Sequence, residues 1–475
     1  MCQDALTLAA TLRRGDVTVA DHTEKVLASA NTLGRRVGAF AHLAPDLSRD
    51  QAARADRELA DGANRPLLGV PLPIKALTPV RGLPHDAGSR AFAGNIAEAT
   101  DGVAQDILDA GTVTIGTTTV PEFGLPAYTE PATGAPARTP WDLRRTAGGS
   151  SGGAAAAVAA GIVPLAHGTD GGGSVRIPAA CCGILGLKTS RGLVSPGPLR
   201  TEGPGLVVDG ILARTVRDIA AGLDVIARTR PGDAFPLERS VPSYLDAVTD
   251  TPSALRIGVL DTPLNIDAPV HPAALAALER AARLLEELGH RTTPIPAPFT
   301  PEEWEAFMPL WSVGAASVPI PEDAEDQLME LTRWLRSEGR RHDGIALATA
   351  TAGMQRVART AGEAFAACDV ILTPTLAGPP AFPGELHLPD GSADFDAQRA
   401  FTPWTAAWNM TGRAAINVPL HRETVGGVEL PFGIHLGAVR AGDDALLLAL
   451  AAQLEEADPW PLIRDVAPET DEGTA

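Results

Sequence analysis

The chain is poor in cysteine, very poor in lysine and free of long apolar runs. Its four cysteines, Cys2, Cys181, Cys182 and Cys368, are spread over 475 residues. That is no disulfide framework, and no pair has the spacing of a zinc site. The adjacent Cys181 and Cys182 read as small apolar side chains. The Ala-rich run over 154–163 is far too short to span a bilayer. The opening Met1-Cys2-Gln3-Asp4 lacks the basic region and apolar core of a signal peptide, so the expected address is the cytoplasm. Aromatic residues make up only 4%, which predicts a finely packed aliphatic core. The formal net charge of -19 argues against nucleic acid as a partner, because phosphate contacts want a basic footprint. Of the 39 basic residues only Lys25, Lys75 and Lys188 are lysine. Chemistry that needs a deprotonatable amine therefore has three candidates.

Glycine, by contrast, is concentrated where it can do chemistry. Gly148-Gly149-Ser150-Ser151-Gly152-Gly153 precedes an Ala-rich run, and Gly168-Thr169-Asp170-Gly171-Gly172-Gly173-Ser174 follows it. Glycine lets a backbone take positive φ and lets other groups approach closely. Three glycines ending in serine can align backbone N–H groups beside a hydroxyl. That arrangement holds a developing oxyanion next to a nucleophile.

Along the chain, helix, strand and glycine loop alternate through residue 230, the α/β pattern. Thr18 caps a predicted helix to Leu33, and 46–60 reads as a surface helix. The proline-bearing apolar run 69–77 favours an extended strand around Lys75. Residues 151–160 read as a helix, 162–166 as a buried strand and 168–174 as the loop at its C-terminal end, where α/β sheets place ligands. One compact domain over 1–475 is expected. Its parts would be N-terminal helices over 1–65, a core over about 66–230 and a helical cover over about 295–367. Closing strands and a helix would follow over 369–460, with a disordered tail over 465–475. The expected fold class is α/β, with a central mixed twisted sheet covered by helices on both faces.

Gly148 to Gly152 also satisfies Gly-x-Ser-x-Gly, the nucleophile elbow, which needs an acid and then a histidine downstream. His421 and His435 exist, but the second serine cluster would then have no task. A Walker A phosphate loop fails, because no lysine follows Gly153. The reading that uses both serines takes Ser174 as nucleophile, Ser150 as relay and Lys75 as base. A serine hydroxyl needs a base to take its proton. A buried amine can be that base once its pKa falls toward neutrality. Lys75 lies in the apolar run, whereas Lys25 sits on a polar helix and Lys188 reads as structural.

Together these segments resemble the amidase signature family. The resemblance rests on Gly148 through Pro178, with 24 residues from Ser150 to Ser174, and on the Gly69-Val70-Pro71 block ahead of Lys75. It extends to Thr139-Pro140-Trp141-Asp142, Gly186-Leu187-Lys188, Ala213-Arg214-Thr215 and Asn409-Met410-Thr411-Gly412. Thr129-Glu130-Pro131 and Ser195-Pro196-Gly197-Pro198-Leu199 look most like the aminohexanoate cyclic-dimer hydrolases. The resemblance implies an amidase that forms an acyl-enzyme on Ser174, with Ser150 bridging after a cis peptide bond and Lys75 as general base. It implies an oxyanion hole from the N–H groups of Gly171, Gly172, Gly173 and Ser174. No metal and no organic cofactor is implied. The expected partner is a small-molecule amide, with no nucleic acid and no membrane, and with a homodimer suggested.

Asp170, Arg176 and Ser151 are expected to support the loop. Trp404 and Asn409 are expected to touch substrate, with Trp311 and Trp408 as further candidate walls. Segments 120–135, 300–345 and 375–410 should build the pocket. Two departures stand out. Ala76 replaces the acid that usually follows the lysine, and Gly210-Ile211 replaces the usual Gly-Pro. An amide-forming acyltransferase and an inactive binding protein remain the alternatives.

Overall fold

Two β-sheets organise the chain in the computed structural model, which describes residues 3–201 and 203–466. The strands are β1 (Phe40–Leu43), β2 (Ile74–Lys75), β3 (Gly116–Thr118), β4 (Leu165–Asp170), β5 (Leu185–Lys188) and β6 (Val208–Ala213). They continue with β7 (Arg256–Val259), β8 (Arg291–Pro294), β9 (Val370–Pro374), β10 (Ala415–Val425) and β11 (Val428–Ala438). The large sheet runs β4-β6-β5-β10-β11-β9-β7-β8, and a small one runs β1-β3-β2. Pairing in the large sheet is antiparallel from β4 to β9 and parallel from β9 through β7 to β8. The sheet is mixed, as expected. Every residue of β4, β5, β6 and β9 is buried. Loss of the in–out alternation means that both faces of the sheet are covered.

Local signals explain most elements. Thr18 Oγ1 accepts the N–H of Asp21 at 3.0 Å and starts the helix Val19–Arg36. Prolines 71 and 73 remove ladder donors, so only Ile74 and Lys75 of the run 69–77 form a strand. The Ala-rich segment becomes the helix Gly152–Ala159, every residue of it buried. The segment 295–367 holds the helices Pro301–Trp304, Phe307–Ala316, Glu330–Arg340 and Gly344–Ala364, called the cover below. One hydrophobic cluster draws on residues from Ala5 to Trp460, and a second lies beneath the cover helices.

Three elements differ from expectation. The strand expected over 162–166 is β4, which starts at Leu165 and runs on to Asp170. Its polar residues His167, Thr169 and Asp170 suggest loop, but each finds a buried partner, so burial does not eject them. The two short closing strands are one long hairpin of β10 and β11. Its turn is Gly426-Gly427, both at positive φ (60° and 83°), the conformation that a tight hairpin turn demands. Third, the closing part holds helical structure between β9 and β10 as well as its strands and final helix. Asp390 caps a helix over Gly391–Phe401, accepting the N–H of Ala393 at 2.8 Å. The tail expected to be disordered lies, from residue 467 on, outside the described residues.

Candidate active site

Strand β4 delivers the glycine loop, and an arginine locks it. Asp170, the last strand residue, accepts the N–H of Gly173 at 2.8 Å and that of Val175 at 3.1 Å. Gly173 sits at φ 131°, where a side chain would be strained, and an added Cβ would lie 2.4 Å from Thr405 Oγ1. Arg176 pairs with both Asp170 oxygens, Nε at 3.0 Å and Nη2 at 2.9 Å, and neither side chain is exposed. The same guanidinium reaches the Thr405 carbonyl at 2.7 Å, Asn409 Oδ1 at 2.7 Å and His435 Nε2 at 2.9 Å. Burial pushes the Asp170 carboxyl up, but Arg176 outweighs it and holds the group well below the usual carboxylate range. Asp170 and Arg176 thus tie the loop to its surroundings. Ser151 braces it too, its N–H donating to the Ser174 carbonyl at 3.0 Å.

The N–H of Gly173 is committed to Asp170, which corrects the expected set of four oxyanion donors. Among the described residues, the N–H groups of Gly171, Gly172 and Ser174 donate to no protein acceptor.

The second cluster meets on Lys75, which has no exposure at all. Its Nζ lies 2.9 Å from Ser150 Oγ, 2.9 Å from Thr169 Oγ1 and 3.1 Å from the Thr169 carbonyl. The Gly149–Ser150 peptide bond is cis. Burial drives the Lys75 amine down to about 7, against the pull of Asp170 and Asp209. The main-chain N–H of Lys75 donates to His167 Nδ1, and His167 Nε2 meets Asp209 Oδ1 at 2.9 Å. Thr169, His167 and Asp209 were not singled out from the sequence. The signal was the two-residue period of a strand, which puts His167 and Thr169 on one face of β4.

Neither histidine required by the elbow reading serves a serine here. His435 is held by Arg176 and lies 3.4 Å from Thr373 Oγ1, while His421 sits 3.5 Å from Glu423. Lys188 is buried and donates to the Thr189 carbonyl at 2.9 Å, a structural position.

Ser174 and Gly172 open onto a cavity of about 60 Å³. Segments 120–135, 300–345 and 375–410 all contribute walls, as expected. The aromatic wall is Trp304, Phe307 and Trp311, stacked at 5.0 and 5.3 Å between centroids. Trp304 ends one helix, while Phe307 and Trp311 stand four residues apart on the next, and only that pair was legible as a helical face.

Trp404 and Asn409 do not line this cavity. Trp404 is fully buried, with Nε1 donating to the Thr262 carbonyl at 2.9 Å. Asn409 donates to the Asp170 carbonyl at 2.8 Å and to Asp170 Oδ1 at 2.9 Å, so it braces the loop from behind. Trp408 is also a core residue, its Nε1 on the Ala438 carbonyl at 3.2 Å. Among the described residues, no three His, Cys, Asp or Glu side chains are grouped to hold a metal ion. No helix among them is long and apolar enough to cross a membrane.

The sequence and the fold match a known family. The family model "Amidase" matches residues 21–448. The chain belongs to the amidase family. This amidase is 36% identical over 471 residues to the protein named "Putative amidase AmiC" of Mycobacterium tuberculosis, covering 97% of this chain and 95% of that one. It is 33% identical over 492 residues to the 6-aminohexanoate-cyclic-dimer hydrolase of Paenarthrobacter ureafaciens, covering 96% and 95%. Among solved structures, 6-aminohexanoate cyclic dimer hydrolase complexed with substrate superposes with a TM-score of 0.88 at 30% identity, covering 98% of each chain. A bacterial aryl acylamidase shares the fold, with a TM-score of 0.86 at 24% identity. The amidase is a hydrolase that acts on amides.

Proposed function

We propose that Ser174 is the nucleophile of this amidase, Ser150 the proton relay and Lys75 the general base. The observation that carries the reading is the 2.9 Å contact between Lys75 Nζ and Ser150 Oγ inside a fully buried site. Hydrogen-bond counting supports it. A neutral amine has two N–H donors for the two Thr169 oxygens and one lone pair for the Ser150 hydroxyl. A protonated amine has three donors for the same three oxygens. The site therefore accommodates both states of the base with no group left unpaired. An amine brought down to about 7 by burial is suited to exchange protons near neutrality.

The reaction then runs in balanced steps. Ser174 Oγ attacks the amide carbonyl and passes its proton to Ser150, which hands its own proton to Lys75. The carbonyl oxygen takes the negative charge, facing the N–H groups of Gly171, Gly172 and Ser174. The C–N bond breaks as the proton returns through Ser150 to the leaving nitrogen. Water then attacks the ester, gives a proton to Lys75 by the same route, and releases the carboxylic acid, which ionises to the carboxylate, as Ser174 regains its hydrogen from Lys75.

The aromatic wall suits amides with an apolar body. The 6-aminohexanoate cyclic dimer, the substrate of the related hydrolase, is the first compound to assay. Cys181, Cys182 and Cys368 are all buried free thiols, which supports work in the reducing cytoplasm.

The test is labelling by a fluorophosphonate probe together with hydrolysis by Ser174→Ala and Lys75→Ala. Loss of labelling in Ser174→Ala, with turnover reduced by several orders of magnitude in both folded variants, is the expected result. Wild-type turnover in either would overturn it. Amide synthesis outrunning hydrolysis with added amines would make the protein an acyltransferase.

A further inference from the structure

One fully buried carboxylate takes no part in the chemistry above. Glu122 has no exposed surface, and among the described residues it has no ion-pair partner. Its Oε1 accepts the Ser89 hydroxyl at 2.7 Å, and its Oε2 accepts the main-chain N–H of Met329 at 2.8 Å. Met329 stands at the N-cap of the cover helix Glu330–Arg340, whose positive end favours a carboxylate there. Even so, a buried carboxylate without a cation is an unfavourable way to join two segments, and apolar side chains would join them with less desolvation. Its placement points to a role in which geometry matters.

The next three residues supply that role. Phe123 is held at φ 52°, a left-handed conformation that a bulky residue adopts only when its surroundings impose it. Its N–H donates to the Ala87 carbonyl at 2.9 Å. Gly124, at φ 69°, lies directly against Ser150. A Cβ added there would sit 3.1 Å from Ser150 Oγ and 2.5 Å from Leu77 Cδ1. Leu125 then lines the Ser174 cavity. Within four residues the chain passes from the tie with the cover, through a strained residue, to the back of Ser150 and on to the cavity wall. The Ser150 hydroxyl has to stay on Lys75 Nζ, and Gly124 is packed against it.

We propose that Glu122 is a positioning residue, whose two hydrogen bonds hold the turn 122–125 against Ser150 and so keep its hydroxyl on Lys75. This rests on the reading that Ser150 relays the proton. The cover contributes only a main-chain N–H to the tie, so side-chain changes that keep this N–H leave the tie intact.

The test is turnover of one amide by full-length variants, well below each Tm and per site titrated with the fluorophosphonate probe. Glu122→Gln can still accept from Met329 and donate to Ser89, and it should keep kcat within about threefold of wild type. Glu122→Leu removes both bonds, and kcat should fall about tenfold or more, by a larger factor than KM rises. Met329→Pro deletes the one N–H with little change of backbone, since Met329 already stands at φ -67° and Leu328 at ψ 151°. It should lower kcat in the same way, and it decides the question if Glu122→Leu does not fold. A residue that only stabilises the fold lowers Tm and leaves kcat per folded site unchanged. Wild-type kcat in either folded variant, an equal loss in Glu122→Gln and Glu122→Leu, or a rise in KM alone would therefore overturn the proposal. Ser150→Ala is the control. If it turns over at the wild-type rate, the relay reading falls. Wild-type rates in the Glu122 and Met329 variants beside an inactive Ser150→Ala would remove only the tie.

Discussion

The main-chain N–H of Lys75 donates to Nδ1 of His167 at 3.3 Å. A backbone amide can only donate, so Nδ1 accepts and the ring hydrogen sits on Nε2, facing Asp209. Arg200 holds the other Asp209 oxygen at 2.6 Å and reaches Asp101 at 2.8 Å. The strand that carries Lys75 is two residues long. This buried relay therefore fixes the base where the strand ladder is too short to do so alone.

The relay also sets a pH dependence. Lys75 must be neutral to act as a base, so kcat/KM rises as pH passes through about 7. Asp209 pulls the Lys75 pKa up and Arg200 pulls it down. Asp209→Asn should therefore move the acid limb to lower pH, and Arg200→Gln should move it to higher pH. A pH profile of kcat/KM checks both signs, and shifts in the same direction would contradict the account.

Thr169 supplies two of the three oxygens around Lys75 Nζ. Thr169→Val keeps the shape and the carbonyl but removes the hydroxyl. The expected result is a fall in kcat of about 10- to 100-fold, the size of one lost hydrogen bond to a charged group, with KM little changed. Steady-state kinetics on one amide will show the split.

Breaking the loop lock should unfold the protein as well as silence it. Asp170→Ala leaves the Arg176 charge buried and unpaired, and it strands the N–H groups of Gly173 and Val175. The loss should be about 3–5 kcal/mol, read by urea denaturation. A variant of wild-type stability would mean that the pair does not carry the loop.

Away from the site, burial pushes Glu455 up to about 7, and neighbouring Asp218 adds to the shift. A carboxyl raised in the folded state contributes stability that is present below its ordinary 4.5 and lost as pH rises through about 7. Glu455→Gln mimics the protonated form and can still accept from Val216. It should raise Tm by about one to two degrees at pH 8 and leave it unchanged at pH 5. Calorimetry at the two pH values checks this.

The chemistry was more legible than the pocket. Ser174, Ser150, Lys75, Asp170 and Arg176 sit in short glycine-rich blocks where local spacing dictates the geometry. Thr169 and His167 hid because polar residues on a strand look like loop until their buried partners are known. Asn409 and Trp404 misled for the same reason. A conspicuous polar or aromatic side chain says nothing of which way it faces, and both face the core.

The stacked aromatics at Trp304, Phe307 and Trp311 belong to the cover, while the proposed catalytic groups belong to β2, β4 and the two glycine-serine loops. Among the described residues, none of the cover touches Lys75, Ser150 or Thr169 through a hydrogen bond. The enzyme is thus divided into an engine and an interchangeable mould. Mutation can recast the mould, and so the range of amides accepted, without retuning the engine.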